Sequence, residues 1–203
     1  MSQGEYKTIR QVSEGSYKEK GSKFFSFAFP VCNEAEIKGI LDDLKKKYHD
    51  ARHHCYAWCL GPDREHYRAN DAGEPANSAG APILGQIRSS DLTNILIVVI
   101  RYFGGTKLGI PGLIRAYRAS AASALDNAEI ITTSVTFNYK LNFTYPVLDN
   151  VMKIIKTENI KISQQVFEME CTIMVSIRQA DKERIINKLK AIETMEIDFL
   201  EDI

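Results

Sequence analysis

The residue types best suited to chemistry lie in one stretch, RYFGGTKLGIPGLIRAYR at 101–118. An apolar run ends at Arg101, and Gly104, Gly105, Gly109 and Gly112 follow, with Pro111 just before the last. Glycine permits positive φ and close backbone approach, and proline suits the first turn of a helix. A strand that passes through such a loop into a helix leaves unpaired amides, which attract anions. Lys107, Arg115 and Arg118 place cations around it, and the two arginines, three apart, share a helix face. The pattern is neither a P-loop nor a dinucleotide fingerprint. We expect an anion site built from Arg101, Gly104, Gly105, Lys107, Gly109, Gly112, Arg115 and Arg118. The same glycines also suit a tight strand-to-helix turn that holds nothing.

Two further groups are candidates for supporting roles. Asp71 and Glu74 stand in the segment NDAGEPANSAGAP at 70–82. Paired acids hold divalent cations or move protons, but their commoner use is to cap turns and pair with arginine. His53, His54, Cys55 and Cys59 are zinc-ligand types. On a strand, however, His53 and Cys55 share one face and His54 points away. No second CxxC or HxxxH completes a ligand set. A buried Cys55 beside a hydrogen-bonded His53 is the expectation, with no metal and no cofactor. Tyr56, Trp58 and Tyr102 are of a type that stacks on bases, although their place in or beside strands suits the core.

The elements that must position these residues are legible in part. The first third reads as strand, strand, helix. Phe25, Phe27, Phe29 and Val31 alternate. Asn33 and Glu36 form a capping pair for a helix over about 34–49, with Ile37, Ile40, Leu41, Leu44 and Tyr48 on its apolar face. Its other face carries Lys45, Lys46 and Lys47, a solvated run. A strand is expected over 53–60, a structured loop over 70–82, and a short helix from Ser78 to Ile87. The run ILIVVI at 95–100 is a buried strand, and a helix follows from Pro111 to Ala128, rich in Ala and Ser on one face. In the last third, strands over 137–145, 160–167, 169–177 and 195–200 alternate with helices over 147–157 and 181–192. Phe137 to Tyr145 and Met169 to Ile177 each place every second residue on an apolar face. That order is βαββαβ, the ferredoxin-like pattern. The fold class is therefore α+β, with a domain boundary near 130–136.

Composition narrows the setting. The chain has 203 residues, 44% hydrophobic, enough for one large core or two small ones. Formal net charge is zero, so no global basic excess signals nucleic acid, though a local patch still can. The first residues, MSQGEYKTIR, lack the apolar segment of a signal peptide. No run approaches the roughly 18–20 apolar residues of a membrane helix. Cys32, Cys55, Cys59 and Cys171 are scattered rather than arranged as a disulfide framework. A cytoplasmic protein with reduced thiols and no membrane partner is the expectation.

Three segments in this order resemble the YigZ/IMPACT family. ARHHCYAW at 51–58 resembles its A-x-H-x-C-x-A block, and NDAGEPANSAGAP resembles its DDGEP block. RYFGGTKLG matches its R-[FY]-[FY]-G-G-x-x-L-G signature, and Gly112, Leu113, Arg115, Ala116 and Tyr117 match the block that follows. The chain departs at Ala72, where the family has a second acid, at Ala76, Asn77 and Ser78, and at Pro111, where glycine is common. The resemblance implies an N-terminal domain over 1–132 with a βαβ fold like domain 2 of a small-subunit ribosomal protein. That fold is shared with domain IV of elongation factor G and with GHMP kinases. It also implies a ferredoxin-like domain over 133–203 resembling domain V of elongation factor G. Eukaryotic members are linked to control of translation initiation, so the partners implied are the ribosome or RNA.

Three functions remain open from sequence. The loop holds a phosphate of RNA or of another phosphate-bearing ligand in a translation-associated regulatory protein. Alternatively it holds a small phosphorylated substrate for metal-assisted phosphoryl transfer or hydrolysis, with Asp71, Glu74 and His53 contributing. In the third reading the loops are architectural and the protein is an interaction domain.

Overall fold

A computed structural model describes residues 4–200. Their contacts divide into two units, Tyr6–Thr133 and a second unit formed by 134–200 with the segment at Gly4 and Glu5. The division falls between Thr133 and Ser134. That initial segment thus joins the second unit, because Val135 donates to the Gly4 carbonyl at 2.7 Å.

The first unit is built on strands β1 (Glu5–Ile9), β2 (Ser13–Glu19), β3 (Ser22–Pro30), β4 (His53–Leu60), β5 (His66–Asn70), β6 (Ile95–Tyr102) and β7 (Ile130–Ser134). Helices α1 (Glu34–Lys47), α2 (Gly80–Ser89) and α3 (Gly109–Asp126) complete it. Five strands form an antiparallel sheet in the order β2-β3-β6-β4-β5, and β1 pairs with β7 separately. Because β3 and β4 both run antiparallel to β6, they are parallel to each other, and α1 makes the crossover between them. The βαβ unit is therefore split around β6.

Both faces of the sheet are covered. Phe24, Cys55, Ala57, Ile97 and Val99 face α2 and α3. Phe27, Trp58, Leu96, Val98 and Ile100 pack with Ile37 and Leu44 of α1. This explains why residues 95–100 read as an unbroken apolar run: each is fully buried, whichever face it points to. Asn33 caps α1 as expected, with its Oδ1 accepting from the Glu36 amide at 2.9 Å. Glu36 reaches back to the Cys32 amide at 2.8 Å.

The Ala/Ser face of α3 lets that helix lie on the sheet at backbone distance. Ala116, Ser120, Ala121 and Ala124 are fully buried. A Cβ on Gly15 of β2 would stand 2.4 Å from the Ala124 nitrogen. Ser13 and Ser26 donate to the carbonyls of Ala124 and Ser120 at 2.8 and 2.6 Å.

Three strands lie outside the sequence reading. The first third contains β1, β2 and β3 rather than two strands. The short polar strands β5 and β7 also carried no readable alternation, as β5 (HYRAN) is exposed along most of its length.

The second unit contains β8 (Thr136–Thr144), α4 (Leu148–Thr157), β9 (Lys161–Phe167), β10 (Glu170–Arg178), α5 (Lys182–Lys190) and β11 (Glu196–Leu200). The order is the βαββαβ read from the sequence, and the antiparallel sheet runs β11-β8-β10-β9. Tyr139, Leu141, Phe143, Cys171, Ile173, Val175 and Ile177 form its core with Val151, Ile155, Ile185 and Leu189 of the helices. Two residues assigned to apolar faces are not buried. Tyr145 has left the strand for a single 3-10 turn, and Met169 sits in the β9–β10 turn, 91% exposed. Among the described residues no helix is long and apolar enough to cross a membrane.

Candidate functional site

The loop between β6 and α3 is fixed by backbone packing before any ligand is considered. A Cβ on Gly104 would stand 1.8 Å from the carbonyl carbon of Gly21, in the β2–β3 turn. Only glycine fits there. The Gly104 amide donates to Ser22 Oγ at 3.2 Å, so it is spent on this contact and not offered to an anion. Gly112 is crowded too, with its Cβ position 2.9 Å from the Leu108 Cβ. Gly105 and Gly109 adopt φ of +87° and +72°, where a side chain is strained. Each glycine thus has an architectural reason to be there, as the turn-only reading required.

The loop nevertheless keeps free polar groups. Among the described residues, the amides of Gly105, Thr106 and Lys107 have no acceptor. The α3 N-terminus has no side-chain cap and no acid in its first turn. The helix begins at Gly109, two residues earlier than expected, so Pro111 is its third residue and removes one amide from that turn. Lys107 is exposed and makes no ion pair among the described residues. The β2–β3 hairpin adds Lys20 and Lys23, both exposed and also unpaired. Sequence reasoning missed them, because the pairing of β3 with β6 and the contact of Gly21 with Gly104 bring that hairpin to the loop.

Other members of the expected anion set lie elsewhere. Arg101 is buried, with its side chain 7% exposed, and its Nη1 donates to Glu74 Oε1 at 2.6 Å. Arg115 pairs with Glu19 of β2 at 3.3 Å on the surface. Arg118 lines a cleft with Asn77, Pro82 and Gln86 of the neighbouring α2 region. The helix face shared in sequence therefore divides between two neighbours.

The acidic segment is occupied in the same manner. Asp71 Oδ1 accepts from the amides of Ala79 and Gly80 at 2.9 and 2.8 Å, and Oδ2 accepts from Asn77 at 2.8 Å. The carboxylate is the anion bound at the α2 N-terminus. Glu74 Oε1 accepts from Arg101 and also from the Tyr117 hydroxyl at 2.8 Å. Both acids hold the fold together, as turn cap and arginine partner. Among the described residues no three His, Cys, Asp or Glu side chains are grouped to hold a metal.

His53 and Cys55 share the face toward this segment, and His54 points away to the Tyr48 carbonyl at 3.2 Å. His53 Nδ1 lies 3.0 Å from the Ala72 carbonyl, which makes it the donor. The Cys55 thiol donates to the Asp71 carbonyl at 3.0 Å and lies 3.3 Å from the Tyr117 hydroxyl. Burial pushes this thiol up to about 12 and pushes the Tyr117 phenol up as well. Cys55 is therefore an inert thiol at neutral pH. The three ordered sequence blocks meet here: the first and third clamp the second.

One aromatic was not anticipated. Phe103 is 57% exposed on the loop, and the Arg101 guanidinium lies 5.6 Å from its ring centroid. Trp58 by contrast is buried, and the half-buried Tyr102 donates its hydroxyl to Asp50 at 2.7 Å.

Comparison with known proteins gives these observations a family context. The sequence pattern of the Impact N-terminal domain matches residues 20–125. The chain is 35% identical over 126 residues to IMPACT family member YvyE of Bacillus subtilis, covering 62% of this chain and 58% of that protein. It is 33% identical to IMPACT family member YigZ of Escherichia coli, covering 65% of this chain and 66% of that one. The match thus spans less than two thirds of either relative's length. A solved structure of a hypothetical protein superposes with a TM-score of 0.74 at 25% identity, covering 98% of this chain and 99% of that one.

Proposed function

The chain belongs to the IMPACT family, and on that premise we propose that it is a cytoplasmic, translation-associated regulatory protein that contacts RNA, free or in the ribosome. The contact is made by the β6–α3 loop of its N-terminal domain, and the C-terminal ferredoxin-like domain is a separate module. The observation that carries this reading is the loop's unpaired chemistry. The amides of Gly105, Thr106 and Lys107 have no acceptor among the described residues, and Lys107 has no carboxylate partner. Exposed Lys20 and Lys23 on the adjoining β2–β3 hairpin extend the same charge.

Such a patch suits a polyanion, because its cations come from both a hairpin and a loop. In the enzymatic reading, Asp71 and Glu74 would have to act while holding backbone amides and Arg101. Ribosome or RNA binding followed across a salt series tests the proposal. Affinity should fall steeply with salt, and Lys107→Ala should lessen that dependence. Binding indifferent to both salt and Lys107→Ala would refute it.

A further inference from the structure

We propose that Phe103 is a base-stacking platform and that the ligand of the loop is single-stranded RNA. This rests on the RNA-binding reading and specifies the form of the ligand.

The argument begins with what holds the ring. Phe103 follows β6 directly and precedes Gly104, which is locked against Gly21 and Ser22. Its backbone is therefore anchored on both sides. The Arg101 guanidinium lies 5.6 Å from the Phe103 centroid and 5.6 Å from that of buried Phe24. Arg101 is itself held by Glu74. A fixed cation thus backs the ring, yet 57% of the residue remains exposed. Exposure alone does not mark a site, since single exposed apolar residues are ordinary on a protein surface; what sets Phe103 apart is the cation packed against its ring and its place in a loop with unpaired amides and Lys107.

The chemistry of the cover follows from the neighbours. Lys107 and the amides of Gly105 to Lys107 are free to meet a phosphate. A ligand with alternating flat apolar faces and regular negative charges fits, which describes an unpaired nucleic-acid strand. Duplex RNA hides its base faces within the stack and leaves Phe103 uncovered. Stacking on one ring tolerates any base, so binding should show little sequence preference.

The test uses the full chain and a fluorescently labelled oligoadenylate, single-stranded or annealed to oligouridylate, at fixed salt and across a salt series. The wild type should prefer the single strand. Phe103→Ala and Phe103→Leu should each weaken it about 5- to 100-fold with the salt slope unchanged. Phe103→Trp should restore binding. If Phe103→Leu binds like the wild type, the ring is not stacking and the proposal fails, as it does if duplex and single strand bind equally. In either case a persisting Lys107→Ala effect leaves the broader RNA reading standing. No binding by the wild type to either RNA or to ribosomes removes both. Circular dichroism of each variant guards against unfolding, and the Leu and Trp variants carry the test if Ala perturbs the loop.

Discussion

Arg101 Nη1 lies 2.6 Å from Glu74 Oε1, and the two side chains are 7% and 4% exposed. This pair ties the end of a central strand to the acidic segment, and Tyr117 of α3 joins it through the same carboxylate oxygen. Removing one partner strands a buried charge. Arg101→Ala should cost about 3–5 kcal/mol of stability, measured by urea denaturation. Glu74→Gln keeps an acceptor and a similar shape, so it should cost less than Arg101→Ala. An Arg101→Ala protein as stable as the wild type would contradict the assignment.

The glycines of the loop should separate by cause. Gly104→Ala forces a Cβ to within 1.8 Å of the Gly21 backbone, so the hairpin must move or the fold must loosen. Gly105→Ala meets nothing within 4 Å and bears only the strain of φ +87°. That strain costs roughly 1–2 kcal/mol. Thermal melts of the two variants should therefore differ clearly, with Gly104→Ala much the worse.

Asp71 accepts three backbone amides at the start of α2. Asp71→Ala leaves these donors without their acceptor and should cost about 1–3 kcal/mol. Asp71→Asn keeps one oxygen, which can still serve Ala79 and Gly80, and should lie between. Denaturant midpoints will rank the three proteins. Full stability in Asp71→Ala would show that the cap is dispensable.

Lys107 is exposed and unpaired among the described residues, so Lys107→Ala should change stability by no more than about 0.5 kcal/mol, as a surface change does. If it meets a phosphate, the slope of log affinity against log salt should fall by about 1. A lower affinity with an unchanged slope would place its effect elsewhere.

His54 is half-buried, and desolvation lowers its pKa below the usual 6.5, outweighing its hydrogen bond to Tyr48. Between the folded and the ordinary value the unfolded chain binds more protons than the folded one. Stability should therefore fall as pH drops below 6.5, until the folded histidine titrates too. His54→Gln should flatten that part of the stability profile, and an unchanged profile would exclude the histidine as its source.

The sequence by itself determined the elements whose periodicity comes from burial. The apolar run of β6, the alternation of β8 and β10 and the small-residue face of α3 each record a packing partner in local spacing. The Asn33 cap was equally legible, since donor and acceptor lie three residues apart. The family was legible because its three blocks carry residues that the fold joins directly, His53 and Cys55 with the acidic segment, and Arg101 with Glu74.

What only the tertiary structure decided was which charges are spent and which are free. Arg101 and Lys107 are both cations flanking glycines in sequence, but one is buried on Glu74 and the other faces solvent. Asp71 and Glu74 resemble a catalytic pair until the amides and the guanidinium that occupy them are in place. Lys20 and Lys23 join the loop because β3 pairs with β6, Lys23 opposite Tyr102, and two glycines let the backbones touch beyond that pairing. The physical reason is common to all of these. Residue type and local spacing fix what a group can do, but its availability depends on partners far away in the chain, and only the folded backbone brings them together.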